Sequence, residues 1–239
     1  MLQLHAKKGD TMSIIRKKER GSLIVISGPS GVGKDTVVNE YVKKHDNAWI
    51  SVSTTSRPMR PGDVEGETYN FISNEEFKQK IEEGYFLEYA DYVDKYYGTP
   101  KKYINEKLEN GIDVFLVIEI QGAMKVKELI PDALFIFLLP PNLKTLKSRL
   151  KNRGTETKEK MIERFKAAYH EMNQVTKYNY AVIVDDPEST SKKIEAILIS
   201  EKLRCDRIEE VYLNNEEEYM HEMLLDDKEM PNKVLEVEE

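Results

Sequence analysis

The sequence has little cysteine and no long apolar run. Its 239 residues include one cysteine, Cys205, so no disulfide can form within the chain, and we expect a reducing, cytoplasmic setting. No segment approaches the roughly 18 apolar residues that a membrane-spanning helix needs. The first twenty residues also lack the uninterrupted apolar stretch of a secretory signal. These absences predict a protein that does not associate with membranes.

Acidic charge is concentrated at one end of the chain. The net charge is −7, and residues 201–239 contain 14 acidic but only 5 basic side chains, so residues 1–200 are slightly basic. We therefore predict a loosely ordered basic leader at 1–20, a folded domain at 21–206 and an acidic tail at 207–239. No nucleic-acid partner is predicted, and the oligomeric state stays open, a homodimer included.

Short apolar runs alternate with helical patterns over most of the domain. This alternation predicts a parallel β-sheet with α-helices on both faces. The strands are expected at 22–27, 114–120, 133–139 and 181–184, and the helices at 34–45, 101–110, 122–130, 142–152, 156–177 and 188–204.

Residues 51–98 break this alternation. They contain aromatic-rich strand patterns and one helix pattern near 74–83, which predict an α+β insert between two parts of the core, 21–50 and 99–206. An insert at this point of the chain lies over the carboxyl edge of the sheet, where α/β proteins bind ligands.

A glycine-rich segment after the first predicted strand matches a P-loop. Its glycines allow successive N–H groups to point inward at phosphate oxygens, the following helix adds its positive end, and the lysine reaches the β and γ phosphates. The strand before and the helix after favour this interpretation over an ordinary turn with a surface lysine. The predicted ATP site comprises Gly28, Pro29, Ser30, Gly31, Val32, Gly33, Lys34, Asp35 and Thr36.

Asp35 departs from the general P-loop pattern, which has serine or threonine at this position as a magnesium ligand. A carboxylate beside a polyphosphate is repelled unless a cation lies between them. We hypothesise that Asp35 takes part in the hydration shell of Mg²⁺. The alternative is that Asp35 only favours the positive end of the helix and points away from the nucleotide.

Six further motifs follow the P-loop in order. Together they closely resemble guanylate kinases, a family of P-loop nucleoside monophosphate kinases, over about residues 20–204. The motifs are SVSTTSRPMRPG at 51–62, GETYNF at 66–71, FLEYA at 86–90, YGTP at 97–100, IQG at 120–122 and RGTE at 153–156.

The resemblance implies phosphoryl transfer from ATP to GMP, with dGMP as a further acceptor, in purine nucleotide metabolism. Two arginine forks with two tyrosine hydroxyls suit a phosphate monoester. Glu88 can accept both the N1–H and the exocyclic amine of guanine, whereas adenine would place a lone pair against it. The resemblance assigns the GMP site to Ser53, Arg57, Arg60, Tyr69, Glu88, Tyr97, Thr99 and Glu119.

A polar stretch at about 149–165 resembles the lid of these kinases. The resemblance assigns Arg153 and Arg164 to the transferring phosphoryl group. Together with the P-loop lysine and the first arginine of the acceptor site, they form the predicted catalytic set: Lys34, Arg57, Arg153 and Arg164. Phosphoryl transfer needs mainly alignment and cations around the equatorial oxygens, so a mobile arginine lid suits it. Neighbouring lysines leave a solvated charged face as the alternative, and Arg149 is a further candidate.

The family usually has two acids, one residue apart, before the Gln-Gly pair. Here the residues are Val117, Ile118 and Glu119, so the first acid is absent. A water bound to magnesium is the expected partner of an acid there. Our hypothesis is therefore that Asp35 compensates for Val117.

Two other functions stay open at this stage. One is a kinase for another small phosphate acceptor, similar to the ribose 1,5-bisphosphate kinases, which lack the guanine set of Tyr69, Glu88 and Thr99. The other is a non-catalytic guanylate-kinase-like interaction module, a class that tends to lose the P-loop lysine, whereas Lys34 is present.

Overall fold

The chain alternates between strands and helices. The computed structural model describes residues 15–17, 20–92, 95–151 and 158–211. Its strands are β1 Ile15–Lys17, β2 Leu23–Ser27, β3 Ala48–Ile50, β4 Thr54–Thr55, β5 Asn70–Phe71, β6 Phe86–Tyr92, β7 Lys95–Pro100, β8 Asp113–Val117, β9 Leu134–Leu139, β10 Tyr180–Ile183 and β11 Ile208–Val211. Its helices are α1 Lys34–Val42, α2 Asn74–Glu82, α3 Ile104–Glu109, α4 Ile120–Leu129, α5 Leu143–Lys151, α6 Lys158–Met172 and α7 Pro187–Glu201.

The central sheet is parallel and has the strand order β10-β9-β2-β8-β3. The predicted parallel α/β class is therefore confirmed. The four apolar runs correspond to β2, β8, β9 and β10, but the edge strand β3 was not predicted. It is only three residues long, and two of its side chains are partly exposed, so it gives no continuous apolar run.

The central strands are buried on both faces. Along β2, Ile24 and Ile26 pack in a cluster with α1 and α7, whereas Leu23 and Val25 pack in a second cluster with α3 and α4. Because successive side chains of a strand point to opposite faces, this one strand contributes to both clusters. The sheet thus holds the carboxyl ends of β2 and β8 rigidly, and the P-loop and Glu119 follow those ends.

The insert has a four-stranded sheet of its own, in the order β5-β4-β7-β6. We predicted that the insert ends at residue 98, but β7 extends this sheet to Pro100. The insert helix α2 begins after Ser73, whose hydroxyl accepts a hydrogen bond from Glu76 N at 3.0 Å. Its fully buried Phe77 stacks on Phe86 with the ring centroids 4.4 Å apart.

The two ends of the chain depart from the predicted division. Residues 19–199 form one compact unit, and the described residues near the two chain ends, 15–17 and 200–211, belong to another. In the second unit, β1 of the supposed loosely ordered leader pairs antiparallel with β11 of the supposed tail, and Ile15 lies opposite Val211. Pairing between segments so far apart in sequence has no local signal. The remainder of the acidic tail lies outside the described residues.

Within the described ranges, no helix has the length and apolarity to cross a bilayer.

Candidate active site

The P-loop connects the buried strand β2 to α1. Gly28 has φ 151°, and a Cβ there would lie 2.4 Å from the carbonyl oxygen of Leu138 on β9. Gly31 and Gly33 have φ values of 80° and 103°, which side chains other than glycine rarely adopt. The loop can therefore turn tightly against the sheet and present its N–H groups at the start of α1.

The Lys34 side chain folds back onto this loop. Its ammonium group donates a hydrogen bond to the carbonyl oxygen of Gly28 at 2.9 Å and lies 3.6 Å from Glu119 Oε1. Lys34 is only 9% exposed. The loop and Glu119 therefore hold the charge at the position where the P-loop pattern predicts donor phosphates.

A carboxylate from α6 also reaches the P-loop. The backbone N–H of Ser30 donates to Glu171 Oε2 at 3.1 Å. Burial raises the pKa of Glu171, while the Ser30 hydrogen bond and the Lys34 ammonium oppose that rise. We did not predict Glu171, because its proximity to Ser30 depends on how α6 packs.

Arg149 is the described lid residue nearest to the P-loop. It lies on α5, and its Nη1 donates to the carbonyl oxygen of Val32 at 2.6 Å. Arg153 lies outside the described residues, and Arg164 lies in α6 with its side chain outside them. The predicted contacts of these two arginines therefore remain predictions.

One arginine and two tyrosines of the insert lie close together. The Arg57 guanidinium lies 5.0 Å from the ring centroid of Tyr69, and the Tyr69 and Tyr97 rings are 6.0 Å apart. Burial, with smaller contributions from the Asp35 carboxylate and Tyr97, raises the pKa of Tyr69 to about 12, so its hydroxyl is a donor at neutral pH. The Arg60 side chain is exposed, and its backbone N–H donates to Asp63, which also binds Arg57.

Asp63 orients Arg57. Its carboxylate accepts two hydrogen bonds, from Arg57 Nη1 at 2.6 Å and from Nη2 at 3.1 Å, and a third from Arg60 N at 2.6 Å. The Arg57 hydrogen bond holds the pKa of Asp63 below its usual range. Asp63 was missed by the sequence analysis, although its place three residues after Arg60 in a Pro-Gly turn was a usable signal.

The predicted guanine acceptor, Glu88, is buried. Glu88 on β6 is opposite Thr99 on β7, and the Thr99 hydroxyl donates to Glu88 Oε1 at 2.6 Å. Burial raises the pKa of Glu88, while the Thr99 hydrogen bond and Lys125 oppose that rise. Ser53 lies just before β4 and accepts from Asn70 N through its backbone carbonyl.

Besides Glu171, which the Ser30 N–H engages, two further acids lie close to the P-loop and could face a magnesium ion: Asp35 and Glu119. Asp35 is exposed in the first turn of α1, and Glu119 directly precedes α4. Val117 ends β8 opposite Ile26. Within the described residues, no group of three metal-ligating side chains is assembled. One or two protein carboxylates fit an Mg²⁺ ion that phosphates and water hold for the most part, rather than a metal site built from protein ligands alone.

A parallel sheet with a P-loop, below an insert that presents an arginine and a buried carboxylate, defines a P-loop kinase of the nucleoside monophosphate kinase class. The comparisons with known proteins narrow this class. The sequence model of the guanylate kinase family matches residues 20–201. The chain therefore belongs to the guanylate kinase family.

Individual relatives agree over most of their length. The chain is 53% identical over 215 residues to a guanylate kinase of Clostridium perfringens, which covers 90% of this chain and 100% of that relative. It is 52% identical to one from Caldanaerobacter subterraneus, over 84% of this chain and 98% of the relative. The crystal structure of guanylate kinase from Anaplasma phagocytophilum superposes with a TM-score of 0.69 at 29% identity, over 88% of this chain and 98% of that one.

Proposed function

We propose that this protein transfers the γ-phosphoryl group of ATP to GMP, and also to dGMP, producing ADP and the corresponding diphosphate. The decisive observation is the buried Glu88 carboxylate, which Thr99 orients inside an insert that also presents Arg57. An acceptor with two adjacent donors satisfies such a carboxylate, and guanine has this pattern. Family membership supports the same activity.

The two nucleotides bind at different parts of the site. ATP binds with its phosphates on the loop from Gly28 to Thr36, where Lys34 exchanges the Gly28 carbonyl oxygen for phosphate oxygens. The GMP phosphate binds at Arg57 and Arg60 with the hydroxyls of Tyr69 and Tyr97. Alignment of the two phosphates, rather than proton abstraction, is then the main task, because the acceptor phosphate is already ionised at neutral pH.

The lid arginines provide further positive charge for the phosphates. Arg149 contacts the loop already, and Arg153 and Arg164 bind the transferring group. Bound Mg²⁺ would supply positive charge that neutralises the donor phosphates, and we assign Asp35 to its hydration shell, with Glu119 as the other nearby acid. We also propose a cytoplasmic enzyme without nucleic-acid or membrane partners.

A parallel assay of acceptors tests this function directly. Release of ADP is measured with GMP, dGMP, AMP, UMP and ribose 1,5-bisphosphate as acceptors at equal concentration. GMP and dGMP should be used at least 1,000-fold more efficiently than AMP, because a misplaced polar edge in a buried site is strongly rejected. Preferred use of ribose 1,5-bisphosphate, or no turnover with any acceptor, would favour one of the two alternatives.

The assignment of Asp35 gives a prediction about magnesium. Asp35→Ser should raise the magnesium concentration needed for half-maximal rate several-fold, and Val117→Asp added to it should partly restore the wild-type requirement. Mn²⁺ binding to the protein with ADP, followed by electron paramagnetic resonance, gives a readout independent of turnover. Additive effects of the two substitutions would show that the carboxylates act independently and that no compensation exists.

The contact between Asp63 and Arg57 gives a second prediction. Asp63→Ala leaves the nearly buried Arg57 fork without its bidentate partner, so we expect the KM for GMP to rise about tenfold, because hydrogen bonds to charged groups contribute strongly. The kcat at saturating GMP should change less. Glu67→Ala, in the same loop and exposed, is the matched control. A lower KM would mean that Asp63 competes with the acceptor phosphate instead of orienting Arg57.

A further inference from the structure

Gly122 lies directly behind the Glu88 carboxylate. It is the third residue of α4 and is buried. A Cβ built on Gly122 would lie 2.4 Å from Glu88 Oε2 and 2.9 Å from its Cδ. Carbon and oxygen atoms that are not bonded normally stay more than about 3 Å apart, so a methyl group and this carboxylate cannot occupy their present positions together.

The missing side chain is not needed for the backbone conformation. Gly122 lies inside a helix, where alanine is the most favourable residue and glycine one of the least favourable. The atoms that crowd its Cβ position belong to the far end of the Glu88 side chain rather than to backbone. An alanine at this position is therefore compatible with the helix and displaces only the carboxylate.

The position of α4 relative to Glu88 is held by a second contact. Lys125, on the next turn of α4, donates to the carbonyl oxygen of Tyr89, which follows Glu88 on β6. The Lys125 ammonium also lies 4.6 Å from the Tyr89 ring centroid. Ala123 and Val126 of α4 are also fully buried in the core. The helix therefore cannot easily move away from an added methyl group, and the Glu88 side chain has to move instead.

We infer that Gly122 determines specificity: by having no side chain, it lets the Glu88 carboxylate occupy the position from which it accepts guanine's two donors. The inference rests on the proposed function and extends it to a residue that does not contact the nucleotide through a side chain. Gly122 is therefore a positioning residue, which acts through Glu88. Thr99 fixes one carboxylate oxygen from the β7 side, and Gly122 leaves room for the other on the α4 side.

The test is the kinetics of Gly122→Ala. A shift of the carboxylate by about 1 Å spoils both guanine hydrogen bonds, so we expect the KM for GMP to rise about 10- to 100-fold. The preference for GMP over IMP, which lacks the exocyclic amine, should shrink in the same variant. The KM for ATP and the melting temperature should stay near the wild-type values. Glu128→Ala, at an exposed position of the same helix, is the control for a generic change in α4.

A second variant distinguishes repositioning from general damage. Glu88→Asp shortens the acid by one methylene, about 1.5 Å, and draws the carboxylate back from the position of the new methyl group. Glu88→Asp alone should weaken GMP strongly, but in the Gly122→Ala background it should weaken GMP much less, or improve it. This coupling in a double-mutant cycle is the signature of a direct steric conflict between positions 88 and 122.

The outcomes separate this inference from the proposed function. A wild-type protein that does not phosphorylate GMP would refute the proposed function itself. Turnover of GMP by the wild type, together with an unchanged KM and an unchanged GMP-to-IMP preference in Gly122→Ala, would overturn the role of Gly122 alone. Equal losses for GMP and ATP with a lower melting temperature would make Gly122 a packing residue and would also overturn it.

Discussion

Replacing Lys34 with alanine is expected to lower kcat by about 1,000-fold or more while GMP binding remains measurable. Lys34 provides the buried ammonium group at the P-loop, 2.9 Å from the Gly28 carbonyl oxygen, where we propose that donor phosphates bind. A preorganised positive charge beside a transferring phosphoryl group raises kcat by a factor of about this size. In the part of the chain that the structure describes, the hydrogen bond and ion pair of Lys34 go to Gly28 and Glu119 and to no insert residue, so acceptor affinity should survive.

The measurement pairs steady-state kinetics with calorimetric titration of GMP. Lys43→Ala is the control, since Lys43 is exposed and ends the same helix without facing the loop. If Lys34→Ala weakened GMP as much as ATP while the fold stayed intact, the division into a donor and an acceptor site would be wrong.

The second large effect is expected from Glu88→Gln. An amide accepts only one of guanine's two donors and turns its own NH₂ group towards the other, so kcat/KM for GMP should fall by about 100-fold or more. The Thr99 hydroxyl keeps a carbonyl acceptor in the variant, so the pocket should not collapse. Thr99→Ser, which preserves the hydroxyl, is a matched control. Unchanged kinetics with GMP would remove Glu88 from the base pocket.

The same residue sets the direction of a pH effect. Burial raises the pKa of Glu88, and only the ionised carboxylate accepts both guanine donors. GMP efficiency should therefore be complete above this raised pKa and fall as the pH falls through it. The GMP phosphate itself titrates near pH 6, so the difference between wild-type and Glu88→Gln profiles isolates the contribution of Glu88. Parallel profiles would contradict the assignment.

The parts of the fold that the sequence predicted are those with local signals. Continuous apolar runs marked β2, β8, β9 and β10, and the glycines marked the P-loop. The strand β3 and the ribbon of β1 with β11 were missed, because a three-residue strand has no periodicity and pairing across most of the chain leaves no local pattern. Strand β7 was mistaken for the boundary of the insert because its Gly98-Thr99-Pro100 sequence is typical of a loop.

The residues of the candidate site also fall into those with a local sequence signal and those without one. Glu88 and Thr99 could be predicted from motifs, and the strand register places them together. Asp63 had a local signal in its Pro-Gly turn and was overlooked. Glu171 and the space beside Gly122 could not be derived from motifs, because they depend on how helices pack against the P-loop and against β6. Arg149 was only a candidate, and its contact with Val32 needs the folded position of α5.

The hydrogen bond between Glu171 and Ser30 has a consequence for how nucleotides are selected. The P-loop holds an internal anion, because the Glu171 carboxylate accepts from a loop N–H of the kind that binds phosphate. In the proposed mode of ATP binding, a phosphate oxygen at that N–H would replace the carboxylate, so donor affinity would be the difference between two anions competing for one amide. Weak monovalent anions gain little from such an exchange, whereas a polyphosphate that engages several amides and Lys34 at once prevails. The Glu171 carboxylate lies on α6, the helix that also contains Arg164, so this exchange would link α6 directly to donor binding.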